Sequence, residues 1–500
     1  MTLSLNTMSN PIPASLDIAQ QALKDGLPRL IHDYRPDYHL APPTGWMNDP
    51  NGVVFFRGEY HVFYQHHPFD AQWGPMYWGH AKSADLVHWQ HLPIALAPGD
   101  DFDRDGCFSG SAVVYGDTLA LIYTGHIWLG DVGDERFIRQ VQCLATSSDG
   151  VRFVKHGAVI ERAPHAAIMH FRDPKVWHAD GYWYLILGAR LGDTPLLPLY
   201  RSTDLRAWEF LDYASRGTDG DGYMWECPDL FRLDGRDVLL YSPQGMQPAG
   251  YERLNKYQTG YRIGRLDSDW HFSGGPFIEL DNGHDFYAAQ TLETVDGRRL
   301  VWAWLDMWES PMPSQAHHWC GMLGLPRELE LQGDRLGMFP ARELVALRQA
   351  PLPSVAPWGE AGSRWVPHVA GDRLEIHVHL DLLGCTEGQL GVALRCSADG
   401  QEQTLLYYDA ALRRLVLDRD HSGAQVSGQR SVSIAPEETQ LHLRVFLDRS
   451  SIEVFEENGR FSLSSRIYPR PDSLGVTLLA NGTGGRVAIP KAWPLGSGWL

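Results

Sequence analysis

The sequence predicts an all-β protein in which a five-bladed β-propeller is followed by a C-terminal β-sandwich. Five times between residues 57 and 304, a polar turn with glycine precedes a run of aromatic and β-branched residues. The turn glycines lie 58, 65, 54 and 62 residues apart, and they are Gly58, Gly116, Gly181, Gly235 and Gly297. Each copy is typical of a hairpin turn that enters a buried strand. A strand-rich repeat of this length indicates a propeller with one blade per repeat.

Three acidic residues occupy nearly the same position in three of these repeats. Asp49, Asp173 and Glu226 lie nine, eight and nine residues before the turn glycine of their own repeats. The innermost strands of a propeller line one central channel, so we expect the three carboxylates to converge there. Like charges gathered without basic partners cost stability, and their convergence therefore predicts chemistry.

Composition narrows the possible partners and the compartment. A net charge of −18 argues against nucleic acid or an anionic membrane as partner, because both require basic surfaces. Six scattered cysteines without a CxxC pair predict reduced thiols, and the first residues lack the pattern of a signal peptide. No stretch approaches the length of a transmembrane span. These features predict a cytoplasmic protein.

Helix-capping residues, proline-rich stretches and strand alternation along the chain predict four segments. Residues 1–38 form an N-terminal tail, disordered over 1–14, with a short helix capped by Ser15 and running to Lys24. The propeller covers residues 39–340. Residues 341–350 are predicted to be a helix and the Pro-rich residues 351–357 a linker. Period-two alternation in the last part predicts a β-sandwich over 358–500.

Local motifs around the three acids allow ordinary structural explanations when each is taken alone. Asp49 stands in the strong turn sequence Asp-Pro-Asn-Gly, and Asp173 could belong to a surface turn beside Arg172. Glu226 is flanked by Trp, Cys and Pro, which predicts a buried acid of the kind that is rare unless it is paired or functional. The shared phase favours a joint function for all three.

No metal site or cofactor is predicted. Residues 101–106 copy the first half of a calcium loop, but Ala112 stands at position twelve, so we expect a solvated acidic loop. The histidines show neither HExxH nor zinc-finger spacing, and the nucleotide-binding glycine motifs are missing from the sequence.

The ordered motifs around these acids closely resemble glycoside hydrolase family 32, which comprises invertases, sucrose-6-phosphate hydrolases and fructan hydrolases. The resemblance covers roughly residues 38 to 470 and includes WMNDPNG at 46–52, RDP at 172–174 and ECP at 226–228. It implies a five-bladed propeller plus a sandwich. It also implies that Asp49 is the nucleophile, Glu226 the general acid/base, and Asp173 the transition-state stabiliser. The implied substrate-binding residues are Trp46, Met47, Asn48, Gln65, Trp73, Phe108, Ser109, Arg172 and Trp304.

The resemblance implies a retaining β-fructofuranosidase that cleaves sucrose. No cofactor is expected, and we expect a monomer or a homodimer. Sucrose 6-phosphate or short fructans are alternative substrates. A sugar-binding propeller lectin and an inverting hydrolase are alternative functions. Repulsion within the catalytic pair predicts that Glu226 titrates above Asp49 and stays protonated near neutrality. His66 and His67, beside Gln65, either contact the glucosyl unit or only pack the pocket wall.

Overall fold

The computed structural model describes residues 15–500 and is an all-β protein. Strands make up 53% of the chain and helices 5%. The predicted disorder of residues 1–14 lies outside the described residues. Helix α1 (Leu16–Gly26) begins where the sequence predicts, because the Ser15 hydroxyl accepts a hydrogen bond from the Ile18 amide at 3.2 Å. It ends two residues later than predicted and continues into a 3₁₀ turn, Leu27–Arg29.

Five antiparallel sheets follow one another between residues 45 and 340. The first contains β1 (Gly45–Phe56), β2 (Glu59–His67), β3 (Tyr77–Ser83) and β4 (Gln90–His91), and the second contains β5 (Gly106–Tyr115), β6 (Thr118–Trp128), β7 (Ile138–Ser147) and β8 (Val154–Ile160). The third contains β9 (Ile168–Ala179), β10 (Tyr182–Leu191), β11 (Thr194–Ser202) and β12 (Glu209–Arg216).

The fourth sheet contains β13 (Met224–Leu233), β14 (Arg236–Gln244), β15 (Gly260–Leu266), β16 (Phe272–Gly274) and β17 (Ile278–Glu279). The fifth contains β18 (Tyr287–Glu293), β19 (Arg299–Trp304), β21 (Arg327–Gln332) and β22 (Arg335–Pro340). Between β19 and β21 lie a 3₁₀ turn, Pro313–His317, and the two-residue strand β20 (Trp319–Cys320). Strand β20 pairs in parallel with β1, so the chain around the fifth sheet returns to the first.

The predicted turn glycines join the first two strands of each of these sheets. All five have positive φ angles, between 59° and 87°, which glycine adopts without strain. In the first, third and fourth sheets the residue before the glycine also has a positive φ, as a two-residue type I′ turn requires. The sequence prediction of five hairpins is therefore confirmed.

Two six-stranded sheets form the C-terminal β-sandwich. One has the order β23-β34-β25-β30-β31-β32 and is made of β23 (Val355–Trp358), β25 (Leu374–Asp381), β30 (Gln440–Asp448), β31 (Ser451–Glu456), β32 (Ser462–Arg466) and β34 (Arg486–Pro494). The other has the order β24-β33-β26-β27-β28-β29 and is made of β24 (Gly362–Trp365), β26 (Glu387–Cys396), β27 (Gln403–Asp409), β28 (Arg414–His421), β29 (Gln429–Ser433) and β33 (Gly475–Thr483). Alternate residues such as Ile376, Val378 and Leu443 fill the space between the sheets.

The connection between the two parts differs from the prediction. The predicted helix at 341–350 is only a 3₁₀ turn, Arg342–Leu347, whose buried Leu344 and Leu347 follow the three-residue spacing of such turns. Residues 351–357 are not a free linker, because the Leu352 amide donates to the Ala492 carbonyl and β23 begins at Val355. The chain thus joins the edge of the sandwich before residue 358.

Buried ion pairs fasten the sandwich to the N-terminal sheets. Arg327 lies 2.8 Å from Asp281 and also contacts Glu453 of the sandwich. Arg466, 1% exposed, lies 2.9 Å from Asp285 and 2.7 Å from Asp306. Residues 281–286 lead directly into β18, so the sandwich supports the strand that begins at Tyr287.

The acidic loop at 101–106 is solvated only in part, because Asp101 is exposed and Asp103 is not. Asp103 is fully buried and accepts from the Tyr123 hydroxyl at 2.8 Å. Lys155 lies 2.6 Å from the same carboxylate. Asp103 therefore organises the loop around an internal ion pair, as a buried carboxylate requires.

Candidate active site

The first strand of each of the five N-terminal sheets carries a β-bulge seven to ten residues before its turn glycine. Pairing with the second strand is interrupted in each case by one or two unmatched residues. These residues are Asn48-Asp49 in β1, Ser109 in β5, Asp173-Pro174 in β9, Cys227-Pro228 in β13 and Ala288-Ala289 in β18. Bulges re-aim side chains and are over-represented beside active sites. Asp49 and Asp173 therefore lie within the bulges of their strands, and Glu226 lies directly before the bulge of its strand.

Backbone strain accompanies three of the bulges. Asp173, Cys227 and Ala288 have φ angles of 66°, 47° and 55°, a region that non-glycine residues seldom adopt. Hydrogen bonds hold two of them: the Asp173 amide donates to the Thr124 hydroxyl at 3.0 Å, and the Cys227 amide donates to Asp173 Oδ2 at 3.0 Å. Strands β9 and β13, which bear Asp173 and Glu226, are thus joined to each other at their bulges.

The bulged strands surround a cavity of about 290 Å³. Nine residues predicted for the site line it, namely Asn48, Asp49, Gln65, Trp73, Phe108, Ser109, Arg172, Asp173 and Glu226. The prediction that acids from three repeats would converge is borne out in space. The charged groups of the cavity wall are the Arg172 guanidinium and five carboxylates. Besides the three predicted acids, the carboxylates are those of Glu135 and Glu309.

Asp49 is held by short polar contacts on both carboxylate oxygens. The Ser109 hydroxyl donates to Oδ2 at 2.6 Å, and the Asn48 amide donates to Oδ1 at 2.9 Å. The Cys227 thiol lies 3.7 Å from Oδ2. Burial raises the pKa of Asp49, and nearby Glu226 raises it further, while the Ser109 and Asn48 hydrogen bonds oppose this shift. The carboxylate has a fixed orientation toward the cavity.

Glu226 accepts hydrogen bonds on both oxygens. Arg172 donates to Oε1 through Nε at 3.1 Å and Nη2 at 2.7 Å. Gln244 donates to Oε2 at 2.9 Å, and the Tyr287 hydroxyl donates to the same oxygen. These four hydrogen bonds fix the orientation of the Glu226 carboxyl group.

Asp173 is 5% exposed and lies beside two other carboxylates. Burial raises the pKa of Asp173 to about 7, with Glu226 and Asp49 adding to the shift and Arg172 opposing it. The Arg172 Nε atom is 3.9 Å from Asp173 Oδ2. The Asp173 carboxyl therefore titrates near neutrality.

A polar chain runs from the rim of the cavity to Glu226. The Arg172 Nη1 group donates to His170 Nδ1 at 2.6 Å, and His170 Nε2 lies 3.8 Å from Glu135. Burial and the adjacent guanidinium lower the pKa of His170 to about 2, so its imidazole is neutral and accepts from Arg172. His170 thereby fixes the orientation of the guanidinium that contacts Glu226.

Aromatic rings form the remaining walls. The Phe108 and His126 rings stack with a centroid distance of 4.1 Å, and Trp73 meets the edge of Phe108 at 6.3 Å. Trp308 lines another part of the wall. An apolar wall beside a polar floor suits a sugar, whose ring face is apolar and whose hydroxyls are polar.

The sequence matches a known family over almost its whole length. Residues 39–340 match the glycosyl hydrolases family 32 N-terminal domain, and residues 343–494 match the glycosyl hydrolases family 32 C terminal. The chain belongs to glycosyl hydrolase family 32. It is accordingly a glycosidase, and the predicted resemblance is confirmed.

Individual relatives within family 32 are similar along most of both chains. A sucrose-6-phosphate hydrolase of Zymomonas mobilis is 46% identical, with 95% of this chain and 94% of that protein covered. A raffinose invertase of Escherichia coli is 46% identical, with 93% and 96% covered. A family 32 β-fructofuranosidase of Bombyx mori, solved in complex with sucrose, is 36% identical with a TM-score of 0.85, covering 97% of this chain and 98% of that chain.

Three predicted binding residues do not line the cavity. Met47 is fully buried in a hydrophobic cluster behind β1, because it points to the opposite face of the strand from its neighbours. Its predicted contact with the sugar is not supported. Trp46 and Trp304 are also buried, and their ring centroids lie 5.9 and 5.0 Å from that of Trp308. They support the aromatic wall from behind.

His66 and His67 pack rather than contact a glucosyl unit. His66 is fully buried, with its Nδ1 atom 2.7 Å from the Trp46 carbonyl, and burial lowers its pKa to about 3. His67 lies 2.9 Å from the Gln72 carbonyl, and burial lowers its pKa as well. Neither lines the cavity, so the packing alternative is the one the structure supports.

The sequence did not predict several residues of the family 32 site. The cavity also contains His126, Trp128, His170, Gln244, Tyr257 and Trp308, and Tyr287 reaches Glu226 from β18. Tyr287 lies ten residues before its turn glycine, as Asn48 does in the first repeat, so the phase of the repeat could have identified it. The others carry no such signal.

None of the helices formed by residues 15–500 has the length and hydropathy that a bilayer-spanning helix requires.

Proposed function

We propose that the protein is a retaining β-fructofuranosidase that hydrolyses sucrose to glucose and fructose, with Asp49 as nucleophile and Glu226 as general acid/base. The convergence of Asp49, Asp173 and Glu226 at one cavity, in a chain of family 32, carries this proposal. Both carboxyl groups of the catalytic pair are oriented by hydrogen bonds.

The proposed architecture is a five-bladed propeller formed by residues 39–340, followed by the sandwich. The support is that five sheets each contribute one bulged first strand to the same region. The N-terminal segment, residues 1–38, and the connection at 341–354 complete the chain, with the sandwich beginning at β23 rather than at residue 358.

The proposed hydrolysis proceeds in two steps. In the first, an Asp49 oxygen forms a bond to C2 of the fructosyl unit while the bond from C2 to the glucosyl oxygen breaks, and Glu226 gives its proton to that oxygen. In the second, Glu226 takes a proton from water, whose oxygen displaces the Asp49 carboxylate from C2. Two inversions give net retention at the anomeric carbon. Asn48 and Ser109 keep Asp49 aligned for both steps.

Substrate binding prepares Glu226 for the first step. Arg172 donates two hydrogen bonds to Glu226 Oε1. Fructose hydroxyls that engage Arg172 and Asp173 withdraw this donor, and the freed oxygen can then carry the proton. Asp173, whose pKa lies at about 7, accepts hydrogen bonds from sugar hydroxyls when ionised.

The charge of the cavity favours unphosphorylated sucrose. Five carboxylates line it against Arg172, and Arg172 is already engaged with Glu226. A phosphate dianion would meet net repulsion there. Hydrolysis of sucrose 6-phosphate is the second candidate, because relatives 46% and 44% identical bear that name. Lys256, which lies 2.9 Å from the rim residue Glu309, is the cation that a phosphate could recruit.

Comparison of kcat/KM for sucrose, sucrose 6-phosphate and inulin tests the substrate. We expect sucrose to equal or exceed its 6-phosphate and both to exceed inulin greatly, because the cavity has room for a small sugar. A hundredfold preference for the phosphorylated sugar would overturn the substrate assignment and leave the glycosidase class intact. The anomer of fructose released in the first minutes, read by NMR, distinguishes retention from inversion.

The proposed compartment is the cytoplasm, and all six cysteines are free thiols, as suits a reducing environment. The active form is expected to be a monomer or a homodimer. Activity measured across a dilution series spanning any dimer dissociation checks this expectation.

A further inference from the structure

Three histidines and a glutamate cluster on the sandwich, on the face turned away from its core. In β25 the buried Ile376 and Val378 point into the core, so His377 and His379 point the other way. His442 of β30 lies directly opposite His379 in the strand register. Glu457 follows β31, and its amide donates to the His442 carbonyl at 2.9 Å. Three adjacent strands thus present these side chains side by side.

The donor atoms of three of these residues are within reach of one ion. One donor atom each from His379, His442 and Glu457 can be chosen so that all lie within 4.8 Å of one another. Glu457 Oε2 is 3.6 Å from His442 Nδ1, and Glu457 Oε1 is 3.0 Å from His377 Nδ1. None of the four lines the active-site cavity, so the proposed hydrolysis does not use them.

His377 is placed to orient the carboxylate rather than to bind an ion. Its Nε2 atom is 3.2 Å from Glu375, which Arg348 and Arg444 hold in a buried ion-pair network. Its Nδ1 atom faces Glu457. A histidine that holds a ligand carboxylate from outside is a common feature of metal sites, because it fixes the ligand before the ion arrives.

We propose that His379, His442 and Glu457 bind one Zn²⁺ ion, which links β25, β30 and the end of β31. Imidazole nitrogens and a carboxylate oxygen are zinc ligands at about 2.0–2.2 Å, and a water molecule completes a tetrahedral site. Imidazole also selects against Mg²⁺ and Ca²⁺, which prefer sets of oxygen ligands. The ion has no part in hydrolysis and stabilises the sandwich.

Binding requires one imidazole to move. The His379 and His442 rings are stacked, with centroids 4.1 Å apart and planes 13° from parallel, so their nitrogen lone pairs lie in nearly parallel planes. One ion can be coordinated by a nitrogen of each ring only when one of the two rings tilts out of the stack. The His442 side chain is 40% exposed and has the freedom to do so. Glu457, 32% exposed, can follow.

Zinc titration of matched variants tests the site. Protein without a polyhistidine tag is stripped with EDTA, dialysed and titrated with ZnCl₂ by calorimetry, with CaCl₂ and MgCl₂ as comparison ions. We compare the wild type with His442→Ala, with Glu457→Gln, and with the control His421→Ala. His421 is an exposed histidine of the same sandwich that lies outside the cluster. Wild-type rates of sucrose hydrolysis verify that each variant is folded.

We expect one saturable zinc site in the wild type and in His421→Ala. His442→Ala and Glu457→Gln should each weaken it at least tenfold, the loss typical of disturbing a metal site. Saturating zinc should raise the Tm of the wild type and of His421→Ala but not that of His442→Ala, since an ion bound to the native state stabilises it. Equal zinc affinity in wild type and His442→Ala, no saturable zinc site in the wild type, or an equal response to Ca²⁺, would overturn the proposal.

Discussion

Arg172 donates two hydrogen bonds to one oxygen of Glu226, from Nε at 3.1 Å and from Nη2 at 2.7 Å. The same guanidinium donates to His170 through its other amino group at 2.6 Å. Arg172 thus joins the proposed acid/base to a neutral histidine that no sequence motif indicated. This relationship has direct consequences for variants at His170.

His170→Ala should lower kcat by about ten- to hundredfold, because Arg172 loses the acceptor that orients it and small displacements of a positioning group are costly. His170→Asn, whose side-chain oxygen can occupy the place of Nδ1, should recover part of the loss. Steady-state kinetics on sucrose measure both variants. Equal loss in Ala and Asn variants of similar Tm would show that the hydrogen bond to Arg172 is not the source of the effect.

Asp49→Asn should lower kcat by several orders of magnitude, because the amide cannot serve as the nucleophile. Stability should be unchanged or higher above pH 5, since burial raises the pKa of Asp49 and the native state holds its charge at a cost. Calorimetry and sucrose hydrolysis measure the two effects. Activity within tenfold of the wild type would contradict the nucleophile assignment.

Asp173→Asn should raise Tm by an amount that grows with pH. The folded-state pKa of about 7 lies above the unfolded value of about 3.9, so the stability that comes from a protonated Asp173 is complete below pH 3.9 and lost as the pH rises through 7. The Tm difference between variant and wild type should be near zero at pH 4 and largest above pH 7. A difference that is independent of pH would contradict the raised pKa.

Arg466→Ala should destabilise the protein by about 3–5 kcal/mol, because it leaves Asp306 buried without its basic partner and Asp285 with Arg419 alone. The side chain is 1% exposed and lies between Asp285 and Asp306. Denaturant unfolding measures the loss, with Arg136→Ala as control. The Arg136 side chain is 81% exposed, and its removal should have no measurable effect. Equal stability of the two variants would contradict a structural role for the buried network.

Repeat phase predicted the three acids and the five hairpins because both depend on one local feature. A two-residue turn with a glycine of positive φ fixes the register of each hairpin, and the bulge then falls seven to ten residues before that glycine. Asp49 and Glu226 could therefore be placed from sequence alone.

Residues placed by long-range packing could not be predicted in this way. Gln244 reaches Glu226 from a second strand, where no repeat position is constant. The segment at 341–350 has a helical pattern, but hydrogen bonds to β34 soon draw the chain into the sandwich. Asp103 looked like a solvated loop residue because its partner, Lys155, lies 52 positions further along the chain.

Trapping of the covalent intermediate tests the central claim most directly. Glu226→Gln, given a β-fructofuranoside with a good leaving group, should complete the first step and stall before the second, because no base activates water. Mass spectrometry of the rapidly quenched and digested protein should then show one fructosyl group on the peptide that contains Asp49, and the Asp49→Asn/Glu226→Gln double variant should show none. A fructosyl group on another residue, or inverted product without any adduct, would contradict the account.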